Sequence, residues 1–436
     1  MTPLLIRDAS IHGLAGRHDV LVEDGKVTRI DAVKPGAQHP SMMGSNGPTS
    51  TVIEAEGGLL ARAFVEPHLH PDKSFSLSDL PASETAGLDH FARSSRIKAS
   101  FTAEQVARRA RRAFDLAVAN GVTRLRANID VDSIAGLRGF EGVLRAREEM
   151  AGILDIDLVA FPQEGLGRDP AAHDLLREAL KSGANHIGGW PNVEDGDQAQ
   201  RAHVATVFDL AEEFDVDIDI HADCWLDERE RMLEVIADET IARGFHGRVM
   251  ASHCCGIECY RDDAPCVAEK VAAADVRVAV IPLNLLDGGP RGMARPHLLR
   301  KAGVEVIVGS DNLNDGWYSL GTLNPLDRIY MAVVGGGFRD DEVDAVWHMV
   351  SGGAAHALDN RDRAQASAET ATDVHVGMVA DLVLLGARSR VEAVSQPGGG
   401  ITTIKRGRVV ARRKIEERFP LSGFSKATFR AEEVTS

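Results

Sequence analysis

Two imidazoles two residues apart open the chemistry of this chain: Phe64-Val65-Glu66-Pro67-His68-Leu69-His70 closes an apolar run with His68 and His70. On a β-strand that spacing puts both rings on one face. Neutral imidazole is the commonest side-chain ligand of a divalent transition metal. Two surface histidines would give the same local pattern, so the missing ligands must come from elsewhere. Chemically loaded residues stand at the ends of other β-rich runs: Gln163 and Glu164, His221 and Asp223, His253, and Asp311 with Asn312. Three imidazoles and a carboxylate from the first, fifth and eighth runs would bind one divalent ion and leave a position for water. Such an ion lowers the pKa of bound water from roughly 16 towards about 7, so attack on an sp² carbon is the expected chemistry.

The runs that must position these residues are 60–70, 122–130, 156–163, 186–191, 216–223, 248–253, 276–284 and 304–312. Helix-forming stretches such as 103–120 and 228–244 fall between most of them. Eight βα units close a (β/α)8 barrel of the TIM type, whose active site lies at the C-terminal strand ends; an open doubly wound sheet is the alternative. Outside this region, runs 4–11, 18–30 and 51–60 are short and β-rich, with Asp24-Gly25 as a hairpin signal. The Gly-, Pro- and Ser-rich stretch 35–50 reads as a surface loop. A matching β pattern returns at 379–385 and 402–410. Both ends are therefore expected to build a small β-sandwich, which divides the chain into 1–60, 61–365 and 366–436.

At 436 residues with a formal net charge of −16, the chain lacks the basic surface that a nucleic acid or an anionic membrane requires. No apolar run approaches a membrane span, and five cysteines suit a reducing compartment better than a disulfide framework. A cytoplasmic homo-oligomer is expected. Cys254, Cys255, Cys259 and Cys266 lack the paired spacing of a zinc ribbon, and the glycine triplets lack phosphate-loop spacing.

Taken together, these motifs resemble the amidohydrolase superfamily, in its branch of cytosine deaminases and N-isopropylammelide isopropylaminohydrolases. Besides the two histidines they are Asp130-Val131-Asp132-Ser133, Phe161-Pro162-Gln163-Glu164-Gly165, Ile218-Asp219-Ile220-His221, Ala251-Ser252-His253 and Gly309-Ser310-Asp311-Asn312. The resemblance implies one divalent metal ion per chain, zinc, iron or manganese, on His68, His70, His221 and Asp311. It implies catalytic roles for Asp311, His253 and Lys73, and substrate contacts from Gln163, Cys224 and Asn312; Trp317, just after the eighth run, is a candidate wall for an aromatic substrate. The fourth run, His186-Ile187-Gly188-Gly189-Trp190-Pro191, has no lysine to bridge a second metal.

The implied reaction is hydrolysis of a C–N bond in a cyclic amidine or amide such as a pyrimidine, pterin or triazine, by deamination or N-dealkylation. Cys224 stands where cytosine deaminases carry a proton-shuttling glutamate, whereas Asp72-Lys73-Ser74-Phe75 and Asn312 resemble the isopropylaminohydrolase. The thiol leaves open a second reading, a non-catalytic metal-binding or regulatory relative.

Overall fold

The computed structural model describes residues 2–33, 51–282, 292–336, 338–359 and 373–414. The expected loop at 35–50, the start of the seventh connection and the limit at 365 lie outside the described residues. The N-terminal segment forms β1 (Leu4–Ile11), β2 (His18–Glu23), β3 (Lys26–Ala32), β4 (Thr51–Glu54) and β5 (Leu59–Arg62). Eight parallel strands follow: β6 (Phe64–Leu69), β7 (Val122–Asp130), β8 (Asp155–Phe161), β9 (His186–Gly189), β10 (Asp217–Ala222), β11 (Val249–His253), β12 (Arg277–Val280) and β13 (Val306–Val308). The chain then returns through β14 (Leu382–Leu385), β15 (Ile401–Lys405) and β16 (Arg408–Arg413).

The eight parallel strands are neighbours in chain order from β6 to β13. A parallel bridge between Leu69 and Asp311 closes the ring. There the Asp311 N–H donates to the His68 carbonyl at 2.7 Å and the His70 N–H to the Asp311 carbonyl at 3.1 Å. The closure is tight enough that a Cβ on Gly309 would lie 2.8 Å from the His68 Cβ. Helices cover the outside. The one at Ala103–Ala119 begins with a Thr102–Gln105 capping box and buries Val106, Ala110, Ala113, Phe114 and Ala117, one stripe at helical spacing.

The small domain is a mixed sheet from both ends of the chain, in the order β16-β15-β14-β5-β1-β2-β3, with β4 also paired to β1. Its period-2 alternation serves two cores. Leu60, Leu382 and Leu384 join Leu4, Ile6, Val20 and Val22 in the small-domain cluster, while Leu59, Ala61, Val383 and Leu385 face the barrel's outer core. Asp24 and Gly25, at φ 47° and 77°, form the expected hairpin turn between β2 and β3. The run 60–70, expected as one strand, is two: β5 pairs with β14 in the small sheet, and the chain crosses at Ala63 to begin the barrel at Phe64. Continuous apolar character hid the break, because both strands are buried on both faces.

Above an apolar floor that includes Val65, Met250 and Ile307, the barrel holds charged side chains. Glu66 accepts from the Ser310 N–H at 3.1 Å and the Ser310 hydroxyl at 2.6 Å, and pairs with Arg328 at 3.0 Å. This fastens β6 to the end of β13 beside the closing bridge. Arg126 pairs with Asp219 at 3.1 Å, again fully buried.

Glu194 ties the loop after β8 to the loop after β9. Its carboxylate accepts the backbone N–H groups of Leu166, Gly167 and Arg168 at 2.5, 3.0 and 3.2 Å. The Trp190 N–H donates to His203 Nε2 at 3.0 Å, so His203 carries its proton on Nδ1 and donates it to Glu194 at 2.8 Å. Burial opposes the charge, but the bonds from His203, Gly167 and Leu166 outweigh it and hold the Glu194 carboxyl at about 2. A depressed folded-state pKa contributes stability above the ordinary carboxylate value and loses it as pH falls towards about 2. Glu194→Gln should cost roughly 1–3 kcal/mol at neutral pH and flatten the acid limb of stability below about pH 4.5, as read from urea unfolding across pH. An unchanged acid limb would remove Glu194 as its source.

Candidate active site

At the C-terminal mouth of the barrel, His68 and His70 from β6, His221 from β10 and Asp311 after β13 converge. One ligand atom from each lies within 4.8 Å of the others, and all four residues are buried. His70 Nε2 and His221 Nε2 are 3.2 Å apart. Asp311 Oδ1 is 3.5 Å from His68 Nε2 and 3.2 Å from His70 Nε2. His68 is oriented from behind: its Nδ1 lies 3.0 Å from Ser252 Oγ and 3.2 Å from Asn128 Nδ2. Its Nε2 has no hydrogen-bond partner among the described residues.

Burial, followed by Lys73, depresses the His70 pKa to about 4. Burial and the neighbouring histidines hold His221 well below its ordinary value. For His68, burial is outweighed by Asp311, so its pKa is raised. Burial would raise Asp311, yet His68 and His70 keep it well below the carboxylate range. Imidazole nitrogens facing one another beside an ionised carboxylate form a donor set that fits a divalent transition metal. His253 stands alongside, with Nε2 3.8 Å from Asp311 Oδ2. Both His253 and Asp311 have φ of 71°, a left-handed conformation that non-glycine residues rarely adopt.

A second group, His70, Asp72 and Asp130, also gathers within 4.8 Å. Its charge is already met: Asp130 accepts from Lys73 Nζ at 2.9 Å and Lys98 Nζ at 3.2 Å. Burial alone would raise Asp130, but Lys73 and then Lys98 hold it at about 2. Lys98 also donates to Asp132 at 2.6 Å and Glu164 at 2.7 Å. Glu164, one of the strand-end residues, thus belongs to this ion network. Asp223, another, accepts from the Met232 and Leu233 N–H groups and from the Tyr260 hydroxyl, and so anchors the next helix. Cys254 and Cys255 are buried thiols, not joined in a disulfide, outside both groups.

Lys73, His253, Gln163, Cys224, Asn312 and Trp317 line one pocket with His70, His221 and Asp311, and His68 lies buried beside them. Lys73 is 2% exposed, which rules out a solvated surface charge. Its ammonium donates to Gln163 Oε1 as well as to Asp130. The Asn312 amide donates to Asp315 at 2.9 Å. Cys224 sits in an apolar cluster with Phe161, Trp190, Val193 and Trp317.

Phe161 stacks on His221 at 4.2 Å and 25°, and Trp190 meets Trp317 at 5.5 Å. Phe161 and Trp190 were not among the residues singled out from the sequence. The signal was available, since Phe161 ends β8 two residues before Gln163 and Trp190 follows the last residue of β9.

A closed parallel barrel with three histidines and an aspartate at its strand ends defines a metal-site hydrolase architecture. The amidohydrolase family profile matches residues 51–411, and the chain belongs to that family. It is 26% identical over 434 residues to N-isopropylammelide isopropyl amidohydrolase of Pseudomonas sp. (strain ADP), covering 94% of this chain and 98% of that one. Pterin deaminase of Rhizobium rhizogenes (strain K84 / ATCC BAA-868) is 26% identical over 407 residues, covering 90% and 88%. The structure of 5-methylcytosine deaminase from Klebsiella pneumoniae liganded with 5-fluorocytosine superposes with a TM-score of 0.81 at 27% identity, covering 96% and 100%.

If the four donors act as one ligand set, His221→Ala should strip most of the bound metal and abolish turnover. Elemental analysis of the purified variant checks the first and product release the second. Full metal occupancy with full activity would remove His221 from the set.

Proposed function

We propose that this chain is a mononuclear aminohydrolase. It holds one zinc, iron or manganese ion on His68, His70, His221 and Asp311, and releases ammonia or an alkylamine from a flat heterocycle such as a pyrimidine, pterin or triazine. The observation that carries this reading is the four-donor cluster flooring an aromatic-walled pocket that also contains Lys73 and Gln163. The activities for which the relatives are named, on an ammelide, a pterin and a methylcytosine, support the substrate class.

A bound divalent ion would supply Lewis acidity and a water of lowered pKa. The rest falls to the chain's own side chains. Asp311 accepts the proton of the attacking water and delivers it to the leaving nitrogen. His253, beside Asp311, and Lys73 stabilise charge developing on the ring. Phe161, Trp190 and Trp317 flank the planar substrate and exclude bulk water.

Cytoplasmic residence and homo-oligomeric assembly belong to the same proposal. None of the five cysteines is in a disulfide, and Tyr330 and Val334 expose apolar surface, 53% and 64%, on the helix Pro325–Gly335. Among the described residues no helix is long and apolar enough to cross a membrane.

The test is ammonia and amine release from a panel of pyrimidines, pterins and triazines by the metal-loaded protein. At least one member should turn over; release from none would overturn the proposal. Cytosine itself should react negligibly, because the thiol of Cys224 stands where a carboxylic acid would shuttle the proton, a deficit of about 10²- to 10⁴-fold. Cytosine turnover at ordinary enzymatic rates would point to another proton donor.

For Lys73→Met the structure adds a cost to the kinetic one, since Asp130 loses one of its two cations in a buried setting. Lys98 remains to hold the fold. On the substrate identified by the panel, kcat/KM should fall about 10²-fold or more, with metal content retained. Parental kinetics in this variant would leave Lys73 a structural partner of Asp130.

A further inference from the structure

The three imidazoles of the donor cluster are not held alike. His70 Nδ1 and His221 Nδ1 have no hydrogen-bond partner among the described residues, whereas His68 Nδ1 lies 3.0 Å from Ser252 Oγ. His68 Nε2 makes no hydrogen bond and faces Asp311 Oδ1 at 3.5 Å, so it is the nitrogen left for an ion. A neutral imidazole that gives Nε2 to a metal keeps its proton on Nδ1. Ser252 Oγ then accepts that N–H, and its own hydroxyl proton is directed onward.

The onward acceptor is Asp219 Oδ1, 3.3 Å from Ser252 Oγ. The carboxylate does not reach the imidazole by itself, since Asp219 Oδ1 stands 3.9 Å from His68 Nδ1, beyond hydrogen-bond length. Its other oxygen, Oδ2, takes Arg126 at 3.1 Å. His68, Ser252, Asp219 and Arg126 are all 0% exposed, so little solvent screens the row. Strand register builds it: Ser252 is opposite His221 across β10 and β11, and Asp219 precedes His221 by two residues on the same face of β10.

Asn128 agrees with a proton at Nδ1. Its carboxamide lies 3.2 Å from that nitrogen, and its Oδ1 has no partner among the described residues. A half-turn of the amide gives this oxygen the Nδ1–H to accept.

We infer that Ser252 is a positioning residue of the metal centre: its hydroxyl links Asp219 to His68 Nδ1, fixing the ring in the tautomer that turns Nε2 to the ion and raising its strength as a ligand above that of His70 and His221. A metal-bound imidazole whose outer N–H is bonded towards a carboxylate is both oriented and more basic. This rests on the metal site of the proposed aminohydrolase.

The test is the zinc affinity of the parent, Ser252→Ala and Ser252→Thr, read by competition with a chromophoric chelator, together with thermal unfolding of the metal-stripped proteins. In Ser252→Ala the zinc Kd should rise about 10- to 100-fold while the metal-stripped protein melts near the parent. Ser252→Thr restores the hydroxyl and should bring the Kd back to within about 3-fold of the parent. A third measurement needs no variant: in ¹H–¹⁵N spectra of the zinc-loaded parent, His68 should carry its proton on Nδ1, slow to exchange with solvent.

A Kd in Ser252→Ala within about 2-fold of the parent, a loss matched by an equal loss of metal-free stability, a loss that threonine does not recover, or a His68 proton on Nε2 would each overturn the inference. Its failure is distinct from failure of the proposed function. A parent that binds zinc with Ser252→Ala unchanged removes only the Ser252 link, whereas a parent that binds no zinc removes the metal site itself.

Discussion

Barrel closure is the constraint on which the site depends. The first and last strands meet through a single bridge at Leu69 and Asp311, flanked by hydrogen bonds to the backbones of His68 and His70. Three of the four metal-type donors therefore stand on the seam, and their spacing is set by strand register. Glu66 and Arg328 brace the seam from inside, with Arg328 also donating to the Val308 and Val65 carbonyls at 2.9 and 3.1 Å. Loss of either partner would leave a buried charge uncompensated, and the damage would fall where the donors converge.

Electrostatics around the mouth follow from the same burial. Asp130, Asp132 and Glu164 share Lys98, while Lys73 adds a second ammonium to Asp130. In a low-dielectric setting such a cluster persists only if nearly every lone pair and proton finds a partner. The network also has a structural reach: Lys98 ends the helix His90–Lys98, and that helix brings Phe91 into contact with Trp190 and Trp317. The aromatic wall and the charged mouth are thus held by one element.

Much of this was legible in the sequence because strand ends concentrate chemistry. His68, His70, His221, His253 and Asp311 each close or follow a β-rich run, and run counting gave the barrel. Spacing could not reveal which strand-end residues turn inward. Asp223 and Glu164 both follow a strand end, but one anchors the next helix and the other joins an ion pair with Lys98, a difference set by their partners. Lys73 was assigned to the site by resemblance, not by spacing; its burial depends on Asp130, 57 residues away. The break at Ala63 was invisible because two unlike sheets bury equally apolar strands.

The left-handed backbone at His253 and Asp311 sets stability against activity. Those conformations cost of the order of 1–3 kcal/mol each for a residue with a Cβ, and glycine would relieve them. A population of variants sorted only by resistance to heat would therefore drift towards losing two side chains to which the proposed reaction assigns work. Evolution of a sturdier enzyme on this scaffold has to draw its gains from the outer helices and the small sheet, leaving the strained mouth as it is.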